Sequence, residues 1–154
     1  MRIFVSMVCL TSSMMISQAN AQDCPDETEW GSEVSGPAAD FYMPKRYNVV
    51  AGGDENLMEC FGQPGYATTA PDFTMDVTGL SGYDISFRTE SSCDTVLLVN
   101  MPDREWRYND DIPGRIDSEV RLSEQLDGYY DVWVGTLGTD TCDATLVIET
   151  FSAS

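Results

Sequence analysis

From Tyr47 onward the apolar residues of this chain recur at every second position. Phe73, Met75 and Val77 alternate with Thr74, Asp76 and Thr78, while Ile85 and Phe87 alternate with Asp84, Ser86 and Arg88. That is the pattern of strands with one face on a core. Gly79–Gly82 supplies the turn between them, and further strands are predicted at Thr95–Val99, Glu105–Tyr108, Glu119–Leu122, Tyr129–Val134 and Ala144–Glu149. Pro102-Asp103, Pro113-Gly114, Asp127-Gly128 and residues 138–140 separate these strands. Turn residues spaced about 8 to 12 positions apart predict an all-β fold, an antiparallel β-sandwich of jelly-roll-like type with about 7–9 strands. No segment carries a helical stripe; Ser118–Leu126 comes nearest, yet it sets Val120 and Leu122 at strand spacing. Residues 22–46 open on an aperiodic stretch rich in Asp, Glu, Ser, Gly and Pro and read as an N-terminal arm, leaving residues 47–154 as one sandwich domain.

Ahead of the arm, Arg2 precedes an apolar and small-residue run, Ile3–Ile16, followed by Ser17-Gln18-Ala19-Asn20-Ala21. This is the form of a secretory signal with a small-x-small cleavage site, so residues 1–21 are expected to be removed and the protein to be periplasmic or extracellular. A membrane anchor is the competing reading, but the run is shorter than the ~20 residues a spanning helix needs. Cys9 lacks the small residues that precede a lipoprotein cysteine. Once it leaves with the signal, Cys24, Cys60, Cys93 and Cys142 remain, an even number in a secretory context. Three pairings are possible. Cys93 and Cys142 each stand just ahead of an apolar strand, which favours Cys93 with Cys142 and Cys24 with Cys60.

Charge narrows the partners. With 26 acidic and 8 basic residues and a formal net charge of −18, the chain is a poor match for nucleic acid or an anionic membrane. It favours solubility, cations and a basic partner.

A set of spaced residues carries a resemblance. Ala51-Gly52-Gly53, Cys60, Ala70-Pro71-Asp72-Phe73, Asp94-Thr95-Val96-Leu97-Leu98-Val99-Asn100, Pro102-Asp103, Trp106, Asp110-Asp111 and Gly128-Tyr129-Tyr130-Asp131-Val132-Trp133-Val134-Gly135 run across most of the domain. Together they resemble the pre-peptidase C-terminal domain family, and within it short exported proteobacterial proteins often labelled serine peptidases. The resemblance implies a compact β-sandwich that accompanies secreted proteases, helps binding or maturation, and in some relatives holds calcium. Two departures stand out. Tyr108 occupies a position where the short relatives often carry a cysteine, and Arg104-Glu105 replaces a usual glycine-containing turn.

The peptidase label fails on chemistry. A Ser-His-Asp or Cys-His site needs an imidazole to take the nucleophile's proton, and this chain has no histidine. Lys45, the only lysine, lies in Met43-Pro44-Lys45-Arg46 with no serine motif beside it. A carboxylate-based hydrolase is disfavoured too, because close acid pairs arise here by crowding and none is marked as an acid/base couple.

Two candidate sites remain. Asn109, Asp110 and Asp111, with Asp117 and Glu119 across Pro113-Gly114 and Asp94 opening a neighbouring strand, offer oxygens to calcium. The alternative is Asx side chains that only cap the turn. Tyr129, Asp131 and Trp133 point to one side of their strand and could stack a sugar ring or anchor a peptide, while Trp106, Trp133 and Tyr130 are also good core fillers. The sequence therefore predicts an exported non-catalytic binding or interaction module for a protein or glycan partner, with or without calcium. A structural envelope component is the alternative.

Overall fold

The computed structural model describes residues 23–123 and 126–153. The expected signal segment, with Cys9, lies outside the described residues. Eleven strands form two sheets: β1 (Ser32–Pro37), β2 (Lys45–Ala51), β3 (Glu55–Asn56), β4 (Tyr66–Ala67), β5 (Phe73–Thr78), β6 (Tyr83–Ser91), β7 (Thr95–Asn100), β8 (Trp106–Asn109), β9 (Glu119–Leu122), β10 (Gly128–Thr136) and β11 (Cys142–Ser152). One sheet runs β1-β5-β10-β7-β8, with β4 and then β3 joined to the end of β10; the other runs β2-β11-β6-β9. The all-β sandwich expectation holds.

Alternation decides which residues meet between the sheets. Phe73, Met75 and Val77 of β5, Leu97 and Val99 of β7, and Tyr130, Val132 and Val134 of β10 face Ile85, Phe87, Val120, Leu122, Leu146 and Ile148 of the opposite sheet in one buried cluster. Burial of each such side chain contributes about 1.5–3 kcal/mol. A second, smaller core lies on the other side of the first sheet. There Leu57, Ala67, Val96, Leu98 and Trp133 are buried, with Phe61, Trp106 and Tyr108 packed against them. Of the three aromatics expected in the sandwich core, Tyr130 is there, whereas Trp106 and Trp133 belong to this outer core, where their ring centroids lie 5.1 Å apart.

The lid of that outer core is a five-residue helix, α1 (Leu57–Phe61), which no periodicity announced. Its ends do carry signals. The Asn56 side chain accepts a hydrogen bond from the Met58 N–H, and Gly62 closes the helix at φ 69°.

The arm departs from expectation in a useful way. Residues 32–37 form β1, which pairs parallel to β5 from Ser32–Phe73 to Pro37–Thr78, the one parallel pair among the described residues of a sandwich expected to be antiparallel. A 3-10 turn, Ala38–Phe41, then buries Ala38 and Phe41 in the main core and leads into β2. With the two-residue strands β3 and β4, this accounts for a strand count above the expected 7–9. Both favoured disulfides form: Cys24–Cys60 ties the arm to α1, and Cys93–Cys142 ties the start of β7 to the start of β11. Each such bridge typically stabilises a fold by about 2–4 kcal/mol.

Candidate binding face

The outer face of the first sheet can be read row by row from the strand registers. Glu33 of β1 is level with Thr74 of β5, Thr74 with Asp131 of β10, Asp131 with Asn100 of β7, and Asn100 with Trp106 of β8. In the next row Ser35, Asp76 and Tyr129 align. The main core claims the opposite residues of β1, β5, β7 and β10, so this mixed set of acids, hydroxyl, amide and aromatics points outward.

The outer core covers part of this face. Trp133 is fully buried, its indole N–H donating to the Thr69 carbonyl at 3.2 Å, so it is not available to a ligand. Asp131 is only slightly accessible and Tyr129 is 52% exposed. The expected Tyr-x-Asp-x-Trp stripe thus keeps two of its three residues.

Sequence reasoning missed two further members. Trp30, 60% exposed, packs edge-on against Tyr129 with ring centroids 5.5 Å apart. Its place is set by Gly31, where a Cβ would come within 2.4 Å of the Pro71 carbonyl oxygen and whose N–H donates to Thr74 Oγ1 at 3.1 Å. Thr74 in turn donates to Asp131 Oδ1 at 2.6 Å. Loop, sheet and carboxylate are therefore one hydrogen-bonded unit. The second is Asn100. It is 5% exposed, and its amide nitrogen has no hydrogen-bond partner among the described residues. A buried donor left unpaired costs about 1–3 kcal/mol.

Tyr129, Asp131 and Asn100 line a groove of about 500 Å³, bounded by Glu27 and Thr28 of the arm and by the Met101–Arg104 turn. On the other side of Tyr129, Trp30, Glu33 and Asp76 line a smaller depression of about 260 Å³. Burial raises the Asp131 carboxyl above its usual range; the Thr74 hydrogen bond lowers it and the nearby Glu27 charge raises it again. Arg104, in the Arg104-Glu105 pair that stands in place of a glycine-containing turn, adopts φ 66°, its N–H donating to the Met101 carbonyl at 2.8 Å. Left-handed backbone costs a non-glycine residue roughly 1–2 kcal/mol.

The turn considered for calcium is arranged otherwise. Asn109 Oδ1 accepts the Glu119 N–H at 3.0 Å, Glu119 Oε1 accepts the Ser86 hydroxyl at 2.6 Å, and Asp117 accepts the Ser91 N–H at 2.9 Å and the Arg115 guanidinium at 2.7 Å. Those three residues hold the β8–β9 connection together, as Asx turn capping does. Asp94, Asp110 and Asp111 stay close enough for burial and then mutual repulsion to raise the Asp94 carboxyl, whose Oδ1 has no partner among the described residues. No group of three or more metal-ligating side chains gathers among the described residues. Tyr108, standing where relatives often place a cysteine, donates its hydroxyl to the Pro64 carbonyl at 2.7 Å and so ties β8 to the loop after α1 without a disulfide.

One further acid is perturbed. Burial raises Asp72 to about 7, against the lowering effect of the Val134 N–H that it accepts at 2.7 Å. Asp72 lines none of these grooves. It fills a gap in the ladder, because β5 pairs with β10 as far as Val132 and β4 takes up the same edge at Thr136. The carboxylate satisfies the backbone donor between them.

No family profile matches the chain, and no curated protein matches it. Among solved structures, the crystal structure of Aeromonas hydrophila PliG, a periplasmic lysozyme inhibitor of g-type lysozyme, superposes with a TM-score of 0.45 at 12% identity over 80% of this chain and 99% of that chain. A likeness of that degree carries no functional argument.

Proposed function

We propose that this chain is an exported, non-catalytic module that binds a partner through the outer face of its first sheet, at Trp30, Tyr129, Asp131 and Asn100. The observation that carries the reading is the pairing of an exposed aromatic couple with a buried, unpartnered amide donor on Asn100, which lines the adjoining groove. Aromatic side chains offer large contact area at small entropic cost, and a groove whose polar groups await partners favours an incoming ligand that supplies them. Two disulfides fit an oxidising compartment, and no described helix is long and apolar enough to cross a membrane. The absence of histidine removes the common general base. Calcium does not enter this reading, since the side chains of Asn109, Asp117 and Glu119 already accept hydrogen bonds from Glu119, from Ser91 and Arg115, and from Ser86. The relation to pre-peptidase C-terminal domains remains a proposal consistent with a binding role.

A photo-crosslinking residue placed at position 129, and separately at position 88 on the opposite sheet, tests the face in the natural host. A discrete adduct from position 129 alone supports the reading. Equal adducts from both positions, or an adduct from position 88 alone, count against it.

A further inference from the structure

We infer that the partner presents a cationic polypeptide segment, one arginine or lysine side chain packing on Trp30 and Tyr129 with its charged end toward Asp131 and Glu27. This rests on the binding reading above and adds the chemistry of the partner.

Charge complementarity is the first support. Strands β1, β5, β7 and β10, which carry most of the face, contain no lysine or arginine, yet they contribute Glu33, Asp76 and Asp131. Glu27 of the arm, which lines the groove, adds to them. Five of the seven described cations are used elsewhere: Arg46, Arg88, Arg107, Arg115 and Arg121 form ion pairs with the protein's own acids, while Lys45 and Arg104 do not. Arg104 lines the groove, but no described ion pair engages Glu27, Glu33, Asp76 or Asp131, so these carboxylates are open to an outside cation, and the two exposed rings offer it π-faces.

The second support is independent of charge. Asn100 lines the same groove and carries a buried, unpartnered donor, and a donor needs an acceptor. A bare metal ion or polyamine brings none, whereas a polypeptide brings a backbone carbonyl with every residue. Arg104, which forms no ion pair among the described residues, lines the far wall and adds a second donor for such carbonyls. Cationic side chain and carbonyl oxygen together are what this combination of rings, carboxylates and amide would recognise.

The purified protein is titrated with hexa-arginine, with hexa-citrulline as its neutral isostere, and with neutral hexasaccharides. Binding is followed by calorimetry and by the emission of Trp30, the most exposed of the three tryptophans. We expect saturable binding of hexa-arginine, hexa-citrulline weaker by at least about tenfold, and a Trp30→Ala/Tyr129→Ala variant weaker by about tenfold with an unchanged melting temperature. Asp131→Asn should weaken hexa-arginine binding by several-fold. Hexa-citrulline binding as tightly as hexa-arginine, or hexasaccharide binding without peptide binding, overturns the cationic inference and leaves the binding face standing. Hexa-arginine binding that ignores the Trp30/Tyr129 substitution marks diffuse attraction to an acidic surface and overturns both, as does no binding of any probe.

Discussion

The two outer faces of this sandwich start from the same alternation and end in opposite states. On the β2-β11-β6-β9 sheet each outward arginine is paired with an acid: Arg46 pairs with Glu90, Arg88 with Glu149 at 2.8 Å, and Arg121 with Asp84 at 3.3 Å while stacking 4.3 Å from the Phe151 ring. Val147, in register with both Arg46 and Arg88, is fully buried on that outer face. Long arginine stems can cover an apolar residue in this way while their heads stay wet. The first sheet has no such lattice. One half of its outer face is capped by α1 and becomes a second core, and the other half keeps the exposed Trp30 and Tyr129 beside a nearly buried carboxylate and a buried, unpaired amide. Strong net charge is thus no guide to where a protein binds; the informative feature is where its charges and donors remain unpaired.

The largest expected effect breaks the capped half. Trp133 fills the outer core and touches Trp106, so Trp133→Ala should cost about 3–5 kcal/mol, the range for emptying a buried large aromatic site. Urea unfolding would measure it. A loss under about 1 kcal/mol would mean that α1 packs loosely and that Trp133 is open to ligands after all.

How much of this was legible follows from the period. The strands of the main core announced themselves because each has one apolar and one polar face, so β5, β6 and β9 stand where the alternation placed them. For β10 the alternation gave the two residue sets, but only the second core determines that the Tyr129 set faces outward and that Trp133 is covered. β7 is buried at all six positions, so no period could single out Asn100 as belonging to the binding face. β1 offers a single apolar side chain, Val34, followed by Gly36 and Pro37, too little for a pattern, and it finds its place by parallel pairing with β5. α1 is shorter than two helical turns, and only the Asn56 and Gly62 caps marked it. Trp30 sits in that aperiodic arm, so its meeting with Tyr129 depends on Gly31 and on long-range pairing.

A smaller effect sharpens the contrast at the seam beside the outer core. The folded-state pKa of Asp72 is raised to about 7 from an ordinary value of 3.8, so its protonated form is the one folding favours. The stability it contributes is fully present below about pH 4 and is lost as pH rises through about 7. Melting temperatures at pH 5 and pH 8.5 should therefore show a larger fall in the natural protein than in Asp72→Asn, whose side-chain oxygen can still accept the Val134 N–H. Equal falls would mean that water reaches the carboxylate and that the ladder gap is wet.

The smallest effect belongs to the face with the paired arginines. Arg88→Met keeps most of the aliphatic stem beside Val147 and removes only the charge facing Glu149 and, at 3.7 Å, Glu90, partly exposed pairs of the kind worth about 0–1 kcal/mol each. Arg88→Ala removes the stem as well. If coverage of Val147 is what the stem contributes, the alanine variant should lose more stability than the methionine variant, by about 1 kcal/mol for the apolar area uncovered. Neither change should alter the Trp30 response to hexa-arginine, because Arg88 and the groove lie on opposite sheets. Equal losses from both variants would assign the stability to the ion pairs. A changed Trp30 response would show that the two faces are coupled through the core, so that charge pairing on one face sets what the other can bind.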